Sequence, residues 1–201
     1  MTKLNESDFC DIAKEYHIDA LLLKTLCKVE TGGKGGFIDN GRAVILFEGH
    51  VFWRELKRAG INPAPYGEKF PNIVYPQWDK NQYRGGTAEY LRLTMAQSIN
   101  KVAALRSTSW GMFQIMGFNF PLCNESTIDG FVTKMNESEA AQLRLSLNYI
   151  VNAGILPLLN NHQWSEFAKL YNGKEYKENK YDQKLRDTYE KYLNKVNTTP
   201  Q

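Results

Sequence analysis

The stretch "KVETGGKGGF", Lys28 to Phe37, decides how this chain is read. An apolar run, "ALLLKTLCKVE", ends on a glutamate, Glu30, and four of the next six residues are glycine. Leu22, Leu26 and Val29 share one helical face, Asp19 is placed to cap the start, and Gly32 or Gly33 supplies the left-handed residue that closes the helix. A helix C-terminus carries the negative pole of the macrodipole, so a carboxylate there stands against the local field. That field and partial burial both disfavour ionisation and raise the pKa of Glu30. A glutamate kept protonated near neutral pH is equipped to act as a general acid. The glycines let the backbone swing aside and leave room for a bulky substrate. An ordinary surface glutamate before a glycine cap fits the same stretch, so the motif needs company.

The rest of the chain bounds what that company is. Its 201 residues suit one compact domain, and 42% apolar with 23% charged residues is globular composition. A formal charge of only +3 gives no reason to expect nucleic acid as a partner and suits an anionic polymer. The three cysteines, Cys10, Cys27 and Cys123, cannot all pair within one chain and read as reduced and mostly buried. The N-terminal "MTKLNESDFCDIAKEYHI" lacks the apolar core of a signal peptide, and no run suits a membrane span. The expectation is a monomer made in a cytoplasm without a signal peptide, with no stable membrane insertion.

Helical spacing recurs in "NESDFCDIAKEYHI", "HVFWRELKR", "SEAAQLRLSLNYIVNAGI", "WSEFAKLY" and "YDQKLRDTYEKYLNKV". "TAEYLRLTMAQSINKVAALR" predicts one strong helix with Leu91, Met95, Ser98, Val102 and Leu105 on a face. "AVILF", Ala43 to Phe47, is the single strand candidate, and Gly60 to Gly86 predicts a long proline-rich loop. "NES" at Asn5, Asn124 and Asn136 matches a glycosylation sequon, but helix and turn capping is the plainer reading. The chain is therefore expected to be mainly α with one small β element after the Glu30 helix.

Three further constellations accompany Glu30. "GRAVILFEGHVFW" places Glu48 and His50 just past the short strand, where a return of the chain can bring Glu48 towards Glu30. "SWGMFQIMG" sets Ser109, Gly111 and Gln114 in what reads as a tight helical turn. "FAKLYNG" ends a helix with Tyr171 and Asn172. In order along nearly the whole chain, these pieces, with "YPQW", "YRGGTAEYLRL" and "SEAAQLR", resemble the N-acetylmuramidase family of bacteriophage endolysins, within the lysozyme-like superfamily.

The resemblance implies a lysozyme-like single domain over residues 1–201; many relatives also carry a separate wall-binding domain, for which this chain is expected to have no length. It implies hydrolysis of the β-1,4 bond between N-acetylmuramic acid and N-acetylglucosamine in peptidoglycan, leading to host lysis after release to the cell wall. Glu30 matches the family's catalytic glutamate, and Glu48 with His50 its "FE-x-H" element. Ser109, Gly111 and Gln114 match "SWG-x-x-Q", which lines the sugar cleft in such folds, and Tyr171 with Asn172 match the late "YN". Where relatives often carry proline after the "GR" turn, this chain has Ala43.

For the second carboxylate the motif match favours Glu48, with Asp39, nine residues after Glu30 in an Asp-Asn-Gly turn, as the alternative and otherwise a cleft residue. His17, His50 and His162 lack zinc-ligand spacing, so no metal or cofactor is expected. Of the tryptophans, Trp78 in the proline-rich loop is the one expected to touch sugar. Two rivals remain: a lytic transglycosylase, which needs only the general acid, and a non-catalytic wall-binding phage protein.

Overall fold

The computed structural model describes residues 2–198. Helix α1 (Glu6–Tyr16) starts at Asn5, whose side chain accepts from Ser7 and Asp8 N–H in a capping box. Helix α2 (Ala20–Thr31) starts at Asp19, which accepts from Leu21 N–H, and ends at Gly32 with φ +58°. Only glycine takes that conformation without strain, so the predicted cap is the observed one. A narrow hairpin follows, with Phe37 bridged to Ala43 and Val44 N–H donating to Gly36 O.

Strand β1 (Ile45–Phe47) leads into α3 (Gly49–Arg58), α4 (Ala64–Lys69), α5 (Gly86–Ile99) and α6 (Lys101–Arg106). Strands β2 (Thr108–Trp110) and β3 (Ile115–Met116) complete an antiparallel sheet ordered β1-β2-β3, with Leu46 opposite Ser109 and Ser109 opposite Met116. The chain then runs through α7 (Ile128–Met135), α8 (Glu139–Asn152), α9 (Leu156–Asn160), α10 (Trp164–Asn172) and α11 (Tyr181–Thr198). Helix α11 packs along α2, and one apolar core extends from Ile12 to Leu185. Cys27 and Cys123 are buried and Cys10 is exposed. Among the described residues no helix is long and apolar enough to cross a membrane.

The structure corrects four local expectations. The long predicted helix is two, because the Asn100 side chain accepts from Ala103 N–H and starts a new helix. The expected face is buried only at Leu105: Leu91, Met95 and Val102 are exposed, whereas Tyr90, Leu93 and Ala96 turn inward together with Glu89 and Arg92. The proline-rich loop contains α4, entered through Pro63 and Pro65, while Ile73 and Val74 are buried as their apolarity demands. "SWGMFQIMG" is a pair of strands around a tight turn, with φ +71° at Gly111 and +50° at Gln114. Those angles break any helix and reverse the chain.

The departure at Ala43 has a reason in this fold. Its N–H donates to Asn136 Oδ1 at 3.0 Å, a bond that proline could not make.

Candidate active site

Glu30 occupies the last turn of α2, half-buried, at the wall of a cleft of about 340 Å³. The 113–116 turn supplies Phe113, Gln114, Ile115 and Met116, α8 supplies Tyr149, α10 supplies Tyr171 and Asn172, and α11 supplies Tyr181. Asn172 Nδ2 donates to both carboxylate oxygens of Glu30, at 3.3 and 3.2 Å. Burial pushes the Glu30 pKa up to about 7, with the Asn172 bond and the charge of Lys184 pulling against it. Burial is thus the leading cause of the protonation that the sequence assigned to helix field and burial together.

Tyr171 is fixed from three sides. Its ring stacks on Phe167 at 5.3 Å and meets Tyr149 edge-on at 6.2 Å, and its hydroxyl lies 3.2 Å from Ser146 Oγ. Burial and the nearby Glu30 carboxylate push its pKa well above the ordinary phenol value, so it stays a neutral hydroxyl in the cleft wall. Gln114 is exposed at the rim, with its amide locked: Oε1 accepts from Ser109 Oγ and Nε2 donates to Gly111 O, both at 2.8 Å. Ser109 is buried and reaches the cleft only through Gln114.

Gly111 serves a different contact. A Cβ there would come within 2.9 Å of the Gln142 side chain, and one at Gly36 within 2.1 Å. Gln142 is buried and ties three segments together, accepting from Met112 N–H and donating to Gly36 O and Met135 O. Neighbouring Glu139 accepts from Leu4 and Gly36 N–H. These two α8 side chains hold the glycine-rich hairpin against the 111–116 turn. Sequence reasoning missed both, since "SEAAQLR" gives no local sign that its polar residues point inward.

Glu48, His50 and Asp39 are not among the residues lining the Glu30 cleft. Glu48 sits at the start of α3, where Tyr83 Oη donates to its Oε2 at 2.5 Å. His50 Nδ1 lies 3.3 Å from that oxygen but out of line for a hydrogen bond. Burial raises the Glu48 pKa and lowers that of His50, so both ordinary charges are disfavoured in this separate cluster. Asp39 is exposed at the tip of the hairpin. Trp78 is exposed and also outside the cleft lining, and Trp110 is buried beneath the sheet turn. The cleft residues that sequence reasoning left unassigned are chiefly aromatic or apolar: Phe113, Ile115 and Met116 follow directly from the "SWGMFQIM" motif, whereas Tyr149 and Tyr181 carry no local signal.

The arrangement has a chemical consequence that can be measured. Asn172 donates to Glu30 and so favours its charged form. Asn172→Ala is expected to raise the Glu30 pKa and move the alkaline limb of the pH–rate profile upward by roughly half to one pH unit. A limb that stays in place or moves down contradicts that role.

The chain is mostly helical with one small antiparallel sheet, and its match to a phage endolysin makes the fold lysozyme-like. The family model for N-acetylmuramidase matches residues 19–193, and the chain belongs to that family. The crystal structure of the Burkholderia AP3 phage endolysin superposes with a TM-score of 0.88 at 36% identity, over 96% of this chain and 72% of that one. No curated protein sequence matches the chain.

Proposed function

We propose that this protein is a phage endolysin that cleaves the β-1,4 bond between N-acetylmuramic acid and N-acetylglucosamine in peptidoglycan. The observation that carries the reading is Glu30, a carboxyl raised to about 7 at the wall of an aromatic-lined cleft, in a chain of the N-acetylmuramidase family. At neutral pH a large share of Glu30 is protonated and able to donate to the leaving glycosidic oxygen. Tyr171, Tyr149 and Tyr181 offer ring faces and hydroxyls to the sugars. Host lysis follows in this reading once the protein reaches the wall from the cytoplasm in which it is made. The test is clearing of outer-membrane-permeabilised cells together with release of new reducing ends. Clearing without new reducing ends would rule out hydrolysis of a glycosidic bond.

A second reading has one observation in its favour. Glu30 is the only carboxylate among the described residues lining the cleft, while Glu48 and Asp39 lie elsewhere. A hydrolase with two carboxylates uses the second to activate water or stabilise the oxocarbenium-like state. A lytic transglycosylase needs no such group, because the C6 hydroxyl of the muramic acid attacks its own anomeric carbon. The product then lacks a reducing end, so the same assay separates the two.

A further inference from the structure

A second depression, of about 540 Å³, lies along the helix that carries Glu30. Thr31 and Met112 line it, each next in the chain to a residue of the first cleft, Glu30 and Phe113 respectively. The two depressions are thus reached from neighbouring positions of the chain, at the end of α2 and in the 111–116 turn. From Thr31 back to Leu21, another lining residue, the groove follows α2 for about 15 Å at 1.5 Å per residue.

Its chemistry is two-sided. The floor is apolar, with Phe9, Leu21 and Met112 among the lining residues. Its lining also carries five lysines against two glutamates. Both glutamates are already engaged: Glu6 is ion-paired with Lys24, and buried Glu139 accepts two backbone N–H groups. Lys28 and Lys34 are exposed and make no ion pair among the described residues. The Lys28 ammonium lies over Gly33, 2.8 Å from where a Cβ would stand, at the end of the groove nearest Glu30.

We propose that this groove binds the acidic stem peptide of the muramic acid residue whose bond is presented to Glu30, so that the preferred substrate is peptide-bearing rather than bare glycan. The inference rests on the muramidase reading. Muramic acid carries a short peptide through its lactyl group, with alanine methyl groups, free carboxylates and one diamino acid along it, anionic overall where the diamino acid carries its own carboxylate. Four extended residues span about 13 Å, matching the length of groove along α2. The carboxylates meet Lys28 and Lys34, and the methyl groups meet the apolar floor. A glycan seated at Glu30 brings the peptide to the groove without cost in a second encounter, so the gain appears in kcat/KM.

The experiment uses purified glycan strands with intact stem peptides and the same strands stripped by an amidase. The wild-type protein should favour the peptide-bearing strands by roughly five- to tenfold, the return of two or three solvent-screened ion pairs. The Lys28→Gln/Lys34→Gln variant should bring that ratio to within about twofold of unity. A free stem tetrapeptide, followed by NMR titration, should perturb the groove of the wild-type protein and not that of the variant. A wild-type ratio near one, or a ratio that the variant leaves unchanged, overturns the proposal. If neither glycan is cut but the tetrapeptide binds and the variant loses it, the muramidase reading fails while the groove assignment stands. Binding to phosphatidylglycerol vesicles that the variant loses, with its glycan ratio unaltered, would make the groove a lipid site and overturn the stem-peptide assignment.

Discussion

Glu30→Gln is expected to lower turnover on peptidoglycan by 10²-fold or more with the fold intact, the size of effect that removal of a general acid produces. Glutamine keeps the shape and the contact with Asn172 but cannot give up a proton. The same substitution carries a stability signature with a definite sign. The folded-state pKa of Glu30 is raised from 4.5 to about 7, so between those values the folded protein binds more protons than the unfolded chain. Stability from this group is therefore lost as pH rises through that window, and above it the fold holds a desolvated charge. Glu30→Gln should melt at the wild-type temperature at pH 4 and higher than wild type at pH 8. After discounting for partial exposure the gain is about 1–2 kcal/mol, or roughly 2–8 °C in Tm. A variant that retains activity, or that is less stable at pH 8, contradicts the assignment.

The largest loss of stability is expected at a residue far from any catalytic motif. Glu89, fully buried on α5, accepts from the N–H groups of Phe47, Arg84 and Gly85 and from Arg92 Nη1. Arg92, also buried, donates onward to Phe47 O, Asn72 O and the Tyr75 oxygen. The pair ties strand β1 to the loop ahead of α5 and sits under the Glu48 cluster. Glu89→Ala leaves a buried guanidinium without its counterion and three N–H groups without an acceptor. The expected cost is about 3–5 kcal/mol, a fall in Tm of roughly 6–20 °C. Glu89→Leu/Arg92→Met, which removes both charges, should recover much of that loss. A Glu89→Ala protein melting within about 2 °C of wild type would mean the network does not hold the fold together.

How much of this was legible in the sequence depends on the range of the interactions. The Glu30 helix, its Asp19 cap and its Gly32 stop were readable because each is set by neighbours within four residues. The buried face of α5 was not. Periodicity chose Leu91 and Met95 there, but Glu89 and Arg92 turn inward because Phe47 of β1, 42 and 45 residues away, and the preceding loop offer them partners. The "SWGMFQIMG" strands failed for a similar reason, since their sheet partner, β1, lies 63 residues earlier. Asn172 meets Glu30 across 142 residues; family resemblance singled out Asn172 but not this partner. Resemblance also named Glu48 and Asp39 as candidates, and placement divides them from the Glu30 cleft.

The central claim is that Glu30 donates a proton in cleavage of the muramic acid glycosidic bond, and a mass spectrum of the muropeptides released from purified sacculi tests it most directly. The account predicts muropeptides with reducing N-acetylmuramic acid ends from the wild-type protein and no such products from Glu30→Gln. Anhydro-muropeptides, one water lighter, would give the chemistry to transglycosylation. Products ending in reducing N-acetylglucosamine, or the same products from Glu30→Gln, would contradict the account.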